Sequence, residues 1–133
     1  LSSYPENETI IYKEQQNNQI RYNFTYIIEK EGFYPKTPIL AYTDCSRIYK
    51  IPDNYAIKTF YTWNQVRYII CCEINYIDNK PQFKILHGRN FEFQIVSYSI
   101  SEAAFNLKQA LGFNEDVLIS DIDIYIFGLQ LES

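Results

Sequence analysis

From Ile20 to Glu29 apolar and polar residues alternate: Ile20, Tyr22, Phe24, Tyr26 and Ile28 fall on one side, Arg21, Asn23, Thr25 and Glu29 on the other. A repeat of two over that length predicts a half-buried strand. Thr9 to Lys13 precedes it, and Gln15-Gln16-Asn17-Asn18 between them predicts a hairpin. Val66 to Ile77 is expected to be the longest strand, with Val66, Tyr68, Ile70, Cys72, Ile74 and Tyr76 on one face and Arg67, Glu73 and Asn75 on the other. Asp78-Asn79-Lys80-Pro81 then turns into Gln82 to Leu86, and His87-Gly88-Arg89-Asn90 into Phe91 to Val96. Residues 66 to 96 therefore read as an antiparallel three-stranded meander.

One helix follows. Ser99-Ile100-Ser101-Glu102 has the form of a capping box, with Ser99 at the N-cap and Glu102 reaching back to the Ser99 amide. Ile100, Ala103, Ala104, Leu107 and Leu111 make an apolar stripe at helical spacing, and Gly112 supplies a left-handed stop. Elsewhere, Gly32, Pro35 and Pro38 interrupt regular structure. Ile39 to Tyr42 and Ser46 to Ile51 read as short strands around a turn at Thr43-Asp44, ended by Pro52-Asp53-Asn54. Residues 53 to 64 show no clean period and read as a long loop, whereas Ile122 to Leu131 is dense enough to predict a strand buried on both faces. The expected fold class is α+β: one domain, an antiparallel sheet with a single main helix packed on it.

Composition sharpens this reading. Thirteen Tyr, nine Phe and one Trp in 133 residues favour a pleated sheet surface. The net charge of −4, without a run of Lys or Arg, speaks against direct binding of nucleic acid or an anionic membrane. No apolar stretch reaches the roughly 20 residues of a spanning helix. A chain that starts at Leu1 and contains no Met reads as a piece of a longer protein. Cys45, Cys71 and Cys72 form no spaced framework, and neighbours on a strand point to opposite faces, so reduced thiols and an intracellular setting are expected. The sequons Asn7-Glu8-Thr9 and Asn23-Phe24-Thr25 support the alternative, a secreted glycoprotein binding module.

Candidate chemistry is sparse. His87, the single histidine, reads as a surface turn residue without a partner for catalysis or zinc. Asp121 and Asp123 could pair on a divalent ion but fit the solvated face of a strand better. His87-Gly88-Arg89-Asn90-Phe91-Glu92-Phe93 is superficially like a base-stacking strand motif, yet Glu92 interrupts it and core packing accounts better for the rings. The residues point to no catalytic group, no metal, no cofactor and no small-molecule substrate.

Five short motifs occur in an order that resembles the FYR domain, the paired FY-rich N-terminal and C-terminal regions of chromatin proteins. Gly32-Phe33-Tyr34-Pro35, Ile39-Leu40 and Ser46-Arg47-Ile48-Tyr49 resemble the N-terminal region. Tyr68 and Cys72, then Phe83 in Pro81-Gln82-Phe83-Lys84-Ile85, resemble the start of the C-terminal region. Ser99 and Glu102 resemble its helix start, and Phe127-Gly128-Leu129 its closing motif. The resemblance implies that residues 1–52 and 65–133 are halves of one α+β unit. It further implies a non-catalytic interaction module of a nuclear protein, whose partners are subunits of chromatin-modifying complexes. Arg47, with its planar fork, is expected on a strand, partly buried against carboxylates or carbonyls.

Overall fold

The structure is a computed structural model; it describes residues 7–15, 18–43, 47–63, 66–112 and 122–131. Six strands follow one another in space as they do in sequence: β1 (Asn7–Gln15), β2 (Asn18–Lys30), β3 (Tyr55–Trp63), β4 (Val66–Ile77), β5 (Lys80–His87) and β6 (Phe93–Ser97). Each pairs antiparallel with the next. Helices α1 (Ile100–Leu111) and α2 (Ile122–Phe127) follow, and a 3-10 turn at Leu129–Leu131 is the last described element. The α+β class, the first hairpin and the later meander agree with the sequence pattern. Asp78 and Asn79 both have positive φ, 52° and 66°, which is the backbone a two-residue hairpin turn requires. The longest strand is β2, at 13 residues, rather than β4, at 12.

The expected loop over 53 to 64 is corrected at Tyr55–Trp63, which is a strand: β3 pairs with β2 through Ile27↔Lys58 and with β4 through Lys58↔Cys71, so it lies inside the sheet. Its inner face carries Tyr55, Ile57, Thr59 and Tyr61, all buried, and its outer face carries Ala56, Lys58, Phe60 and Thr62. A threonine on the apolar face and a phenylalanine on the polar one hide the period of two. Strands β2 and β4 are thus joined through β3. Between β2 and β3, the expected strand pair over 39–51 shrinks to one bridge, Tyr42↔Lys50, with hydrogen bonds from Thr43 N to Tyr49 O and Ile51 N to Ala41 O. Tyr76 ties this excursion to β4: its hydroxyl donates to Ile51 O and accepts from Ala41 N, and its amide donates to Asp53 Oδ1.

The second correction concerns 122 to 131, which is helical. The segment lies on the inner face, with Ile122, Ile124, Ile126, Phe127 and Leu129 buried. A strand crossing a sheet face would bury backbone donors and acceptors unpaired, whereas a helix satisfies most of them internally. The carbonyls left over at the helix end are met by side chains from the sheet. Tyr26 Oη donates to Tyr125 O, Thr59 Oγ1 to Ile126 O at 2.7 Å and Tyr55 Oη to Phe127 O at 2.7 Å. Burial pushes the Tyr55 phenol up, so it stays protonated and keeps donating. Thr59→Val keeps the shape and removes one donor; it is expected to cost about 1–3 kcal/mol in a denaturant titration, because Ile126 O loses its strongest partner.

Helix α1 packs on β5, β6 and α2, burying Ile100, Ala103, Ala104 and Leu107. Ser99 Oγ accepts from Glu102 N at 3.2 Å, as an N-cap should, and Gly112 ends the helix at φ 73°. The reciprocal half of the capping box differs from expectation. Ser97 Oγ takes the Ser99 amide at 3.0 Å and itself donates to Glu102 Oε1, so a hydroxyl stands between the carboxylate and the amide. Among the described residues no helix is long and apolar enough to cross a membrane.

Candidate functional site

The two glycine-centred motifs converge in space. Gly32 follows β2 at φ 70°, and Phe33 then forms an isolated bridge with Asp53, through Phe33 N to Asp53 O at 3.0 Å and Asp53 N to Phe33 O at 2.7 Å. A Cβ on Gly32 would lie 2.2 Å from Asp53 O, so no other residue permits this approach. On the opposite wall Gly128 sits at φ 67°, where a Cβ would come within 2.7 Å of Ile57 Cδ1 and 3.3 Å of the Tyr26 ring. Between these walls is a cleft of about 360 Å³ lined by Ile28, Phe33, Tyr34, Pro52, Tyr55 and Leu129, among others. Ile28, Phe33 and Tyr34 are exposed, Phe33 by 56%.

Its walls are mostly apolar. The lining residues include no thiol and no imidazole; their carboxylate is Glu31, and the Tyr55 hydroxyl is already committed to Phe127 O. Lys50 places its ammonium 5.4 Å from the centroid of the Tyr34 ring, a cation at the rim of an aromatic wall. No cluster of three His, Cys, Asp or Glu able to hold a metal occurs among the described residues. Asp123 Oδ1 accepts from its neighbour Ile124 N at 2.9 Å, and Asp121 lies outside the described residues.

The remaining motif residues fall into three places. Cys72, Phe83, Phe127 and Leu129 are core residues, with Phe83 and Phe127 stacked at 5.4 Å; Tyr68 is half-buried and stacks on Tyr61 at 5.5 Å. Ser99 and Glu102 build the helix start. Arg47, Ile48 and Tyr49 stand apart, on the excursion between β2 and β3. Arg47 is exposed, contrary to expectation, with its guanidinium 5.7 Å from the Tyr49 ring centroid, and residues 47–49 lie in no ladder. Ile48 is 71% exposed, while Tyr49 packs against the core edge.

His87 is a further correction. It ends β5 on the inner face, buried and stacked on Phe93 at 5.4 Å, and burial pulls its pKa down against the opposing pull of Glu92. Cys72 is buried on the inner face and Cys71 is half-buried on the outer one; both thiols are free, both held up by burial, and Cys45 lies outside the described residues. Sequence reasoning missed Ile28, Tyr34 and Pro52 as cleft walls. Gly32 and Gly128 carried the available signal, since each demands a close backbone approach. No family model, curated protein or solved structure matches the chain.

Proposed function

We propose that this chain is a non-catalytic protein–protein interaction domain whose cleft between Gly32–Tyr34 and Gly128–Leu131 receives an apolar side chain of a protein partner. The observation that carries the reading is the cleft itself, walled by three exposed apolar side chains, Ile28, Phe33 and Tyr34, on an otherwise packed core. Exposed apolar surface beside a depression is where partners anchor, and aromatic anchors dominate such interfaces. The motif order adds a finer reading: a divergent FYR-type module of a nuclear, chromatin-associated protein, its partner a subunit of a chromatin-modifying complex. That finer reading rests on the resemblance.

Photo-crosslinking tests both levels. A benzoylphenylalanine at position 33 in the natural full-length protein is expected to capture a partner that the same group at Phe105, exposed on α1, does not. Phe33→Ser should abolish co-purification of that partner, a loss of about 2 kcal/mol or more of binding, while leaving the melting temperature unchanged. Equal capture at both positions would remove the cleft as the docking site. A captured partner from outside the nucleus, or a glycan on Asn7 or Asn23, would remove the chromatin assignment and leave the interaction reading standing.

A further inference from the structure

The outer face of the sheet carries a second arrangement, a groove that reaches round the edge of β4 to Leu111 at the end of α1. On β3 and β4 the register sets Thr62 opposite Arg67, Phe60 opposite Ile69 and Lys58 opposite Cys71. The Phe60/Ile69 row is therefore flanked along the strands by one cation on each side. The two cations are separated by the span from Lys58 to Thr62, roughly 14 Å of extended strand. The turn after β5 brings in more: Gly88, Arg89 and Phe91 line the same groove, which has a volume of about 880 Å³. Phe91 is held at φ 54°, a conformation costly for a bulky residue, and its ring lies 5.9 Å from Lys58 Nζ. Arg67 covers the Phe60 ring in the same way, at 5.2 Å.

Three cations thus border one groove in a chain whose net charge is −4. Glu29 is the carboxylate that shares the lining. The rings are capped by Lys58 and Arg67, which hides their faces from a stacking base. The same contacts hold both cations beside an apolar floor. That combination fits carboxylates flanking an apolar side chain.

We propose that this groove binds an extended acidic peptide in which two carboxylate residues four positions apart bracket an apolar residue, the pattern acidic-x-apolar-x-acidic. In an extended segment, residues i, i+2 and i+4 point the same way and i to i+4 spans roughly 14 Å, the spacing set by Lys58 and Arg67. The apolar residue meets Phe60 and Ile69, and Arg89 closes the groove from the turn. This surface is separate from the cleft at Phe33, and the inference stands without the function proposed for that cleft.

Fluorescence anisotropy with a labelled peptide Ser-Glu-Ser-Leu-Ser-Glu-Ser tests it on the 133-residue chain. Saturable binding is expected, absent for the matching peptide with glutamine in place of both glutamates. Raising the salt to about 1 M, where the Debye length falls to about 3 Å, should abolish it. The double variant Lys58→Glu, Arg67→Glu should weaken binding roughly tenfold or more. Should charge reversal disturb folding, as a shifted circular-dichroism melt would show, Lys58→Gln with Arg67→Gln gives the same comparison with a smaller loss. No saturation up to about 1 mM, or equal binding of the glutamine peptide, overturns the proposal. So does binding of a labelled oligouridylate in place of the peptide, which makes the face a nucleic-acid surface, or a dimer dissolved by the charge reversal, which makes it a contact between copies.

Discussion

Phe127→Ala is expected to lower unfolding stability by about 3–5 kcal/mol, a large part of the total for a domain of this size. The side chain is fully buried and stacks on Phe83 from β5 at 5.4 Å, so truncation leaves a cavity between helix and sheet. Neighbouring elements cannot close over it. Gly128 immediately follows, fixed against Ile57 and Tyr26, and the Phe127 carbonyl is held by Tyr55 Oη. Backbone on both sides of the void is therefore pinned, and the relaxation that softens many large-to-small substitutions is restricted. A urea titration measures the effect as a shifted midpoint at constant slope. A loss smaller than that of Thr59→Val would show that the helix end is held by its hydrogen bonds rather than by the ring, and the account of the core at this point would be wrong.

What was legible in the sequence follows the same physics. β2 and β4 announce themselves because their inner positions are apolar and their outer ones mostly polar: Phe24 and Tyr26 against Asn23 and Thr25, Ile70, Cys72 and Ile74 against Glu73 and Asn75. β3 breaks that agreement twice. Thr59 faces inward because α2 offers it a carbonyl, and Phe60 faces outward under Arg67. The Thr59 partner lies 67 positions away and Arg67 sits on the neighbouring strand, so the pattern of β3 alone could not have exposed them. The same distance hides α2. Its alternating isoleucines read as a strand until Tyr26, Thr59 and Tyr55 are seen to satisfy its final carbonyls, 99, 67 and 72 positions away in the chain. The cleft was half legible. Phe33 and the Phe127-Gly128-Leu129 run stood out as motifs, but Ile28 follows Phe24 and Tyr26 in an inner-face stripe, and those two are buried while it is exposed. Arg47 failed for the opposite reason: its sequence context suggested a strand, and the described residues around it form an isolated bridge, Tyr42↔Lys50, rather than a ladder.

Lys58→Pro separates the observed sheet from the loop that the sequence pattern suggests. In a loop, a proline at a compatible position is neutral or stabilising by up to about 1 kcal/mol, through the unfolded chain. In β3 the outcome reverses. Lys58 stands opposite Ile27 on one side and Cys71 on the other, so the strand is interior and its amides belong to ladders. Proline removes a donor there and its ring cannot be accommodated between paired strands, which confines it to edges and bulges in known sheets. The side chain itself is half-exposed on the outer face, where its contact with the Phe91 ring is worth about 0.5–1 kcal/mol. Lys58→Ala isolates that part and should cost no more than about 1 kcal/mol. Lys58→Pro should therefore exceed Lys58→Ala by about 3 kcal/mol or more, enough to unfold a marginal domain outright. Circular dichroism and a denaturant midpoint on the two variants give the comparison. Were they equally stable, residues 55–63 would not be a central strand. The β1–β2 hairpin and the β4–β6 meander would then be separate units, and the cleft between Phe33 and Gly128, which needs β2, β3 and the closing turn in one body, could not exist.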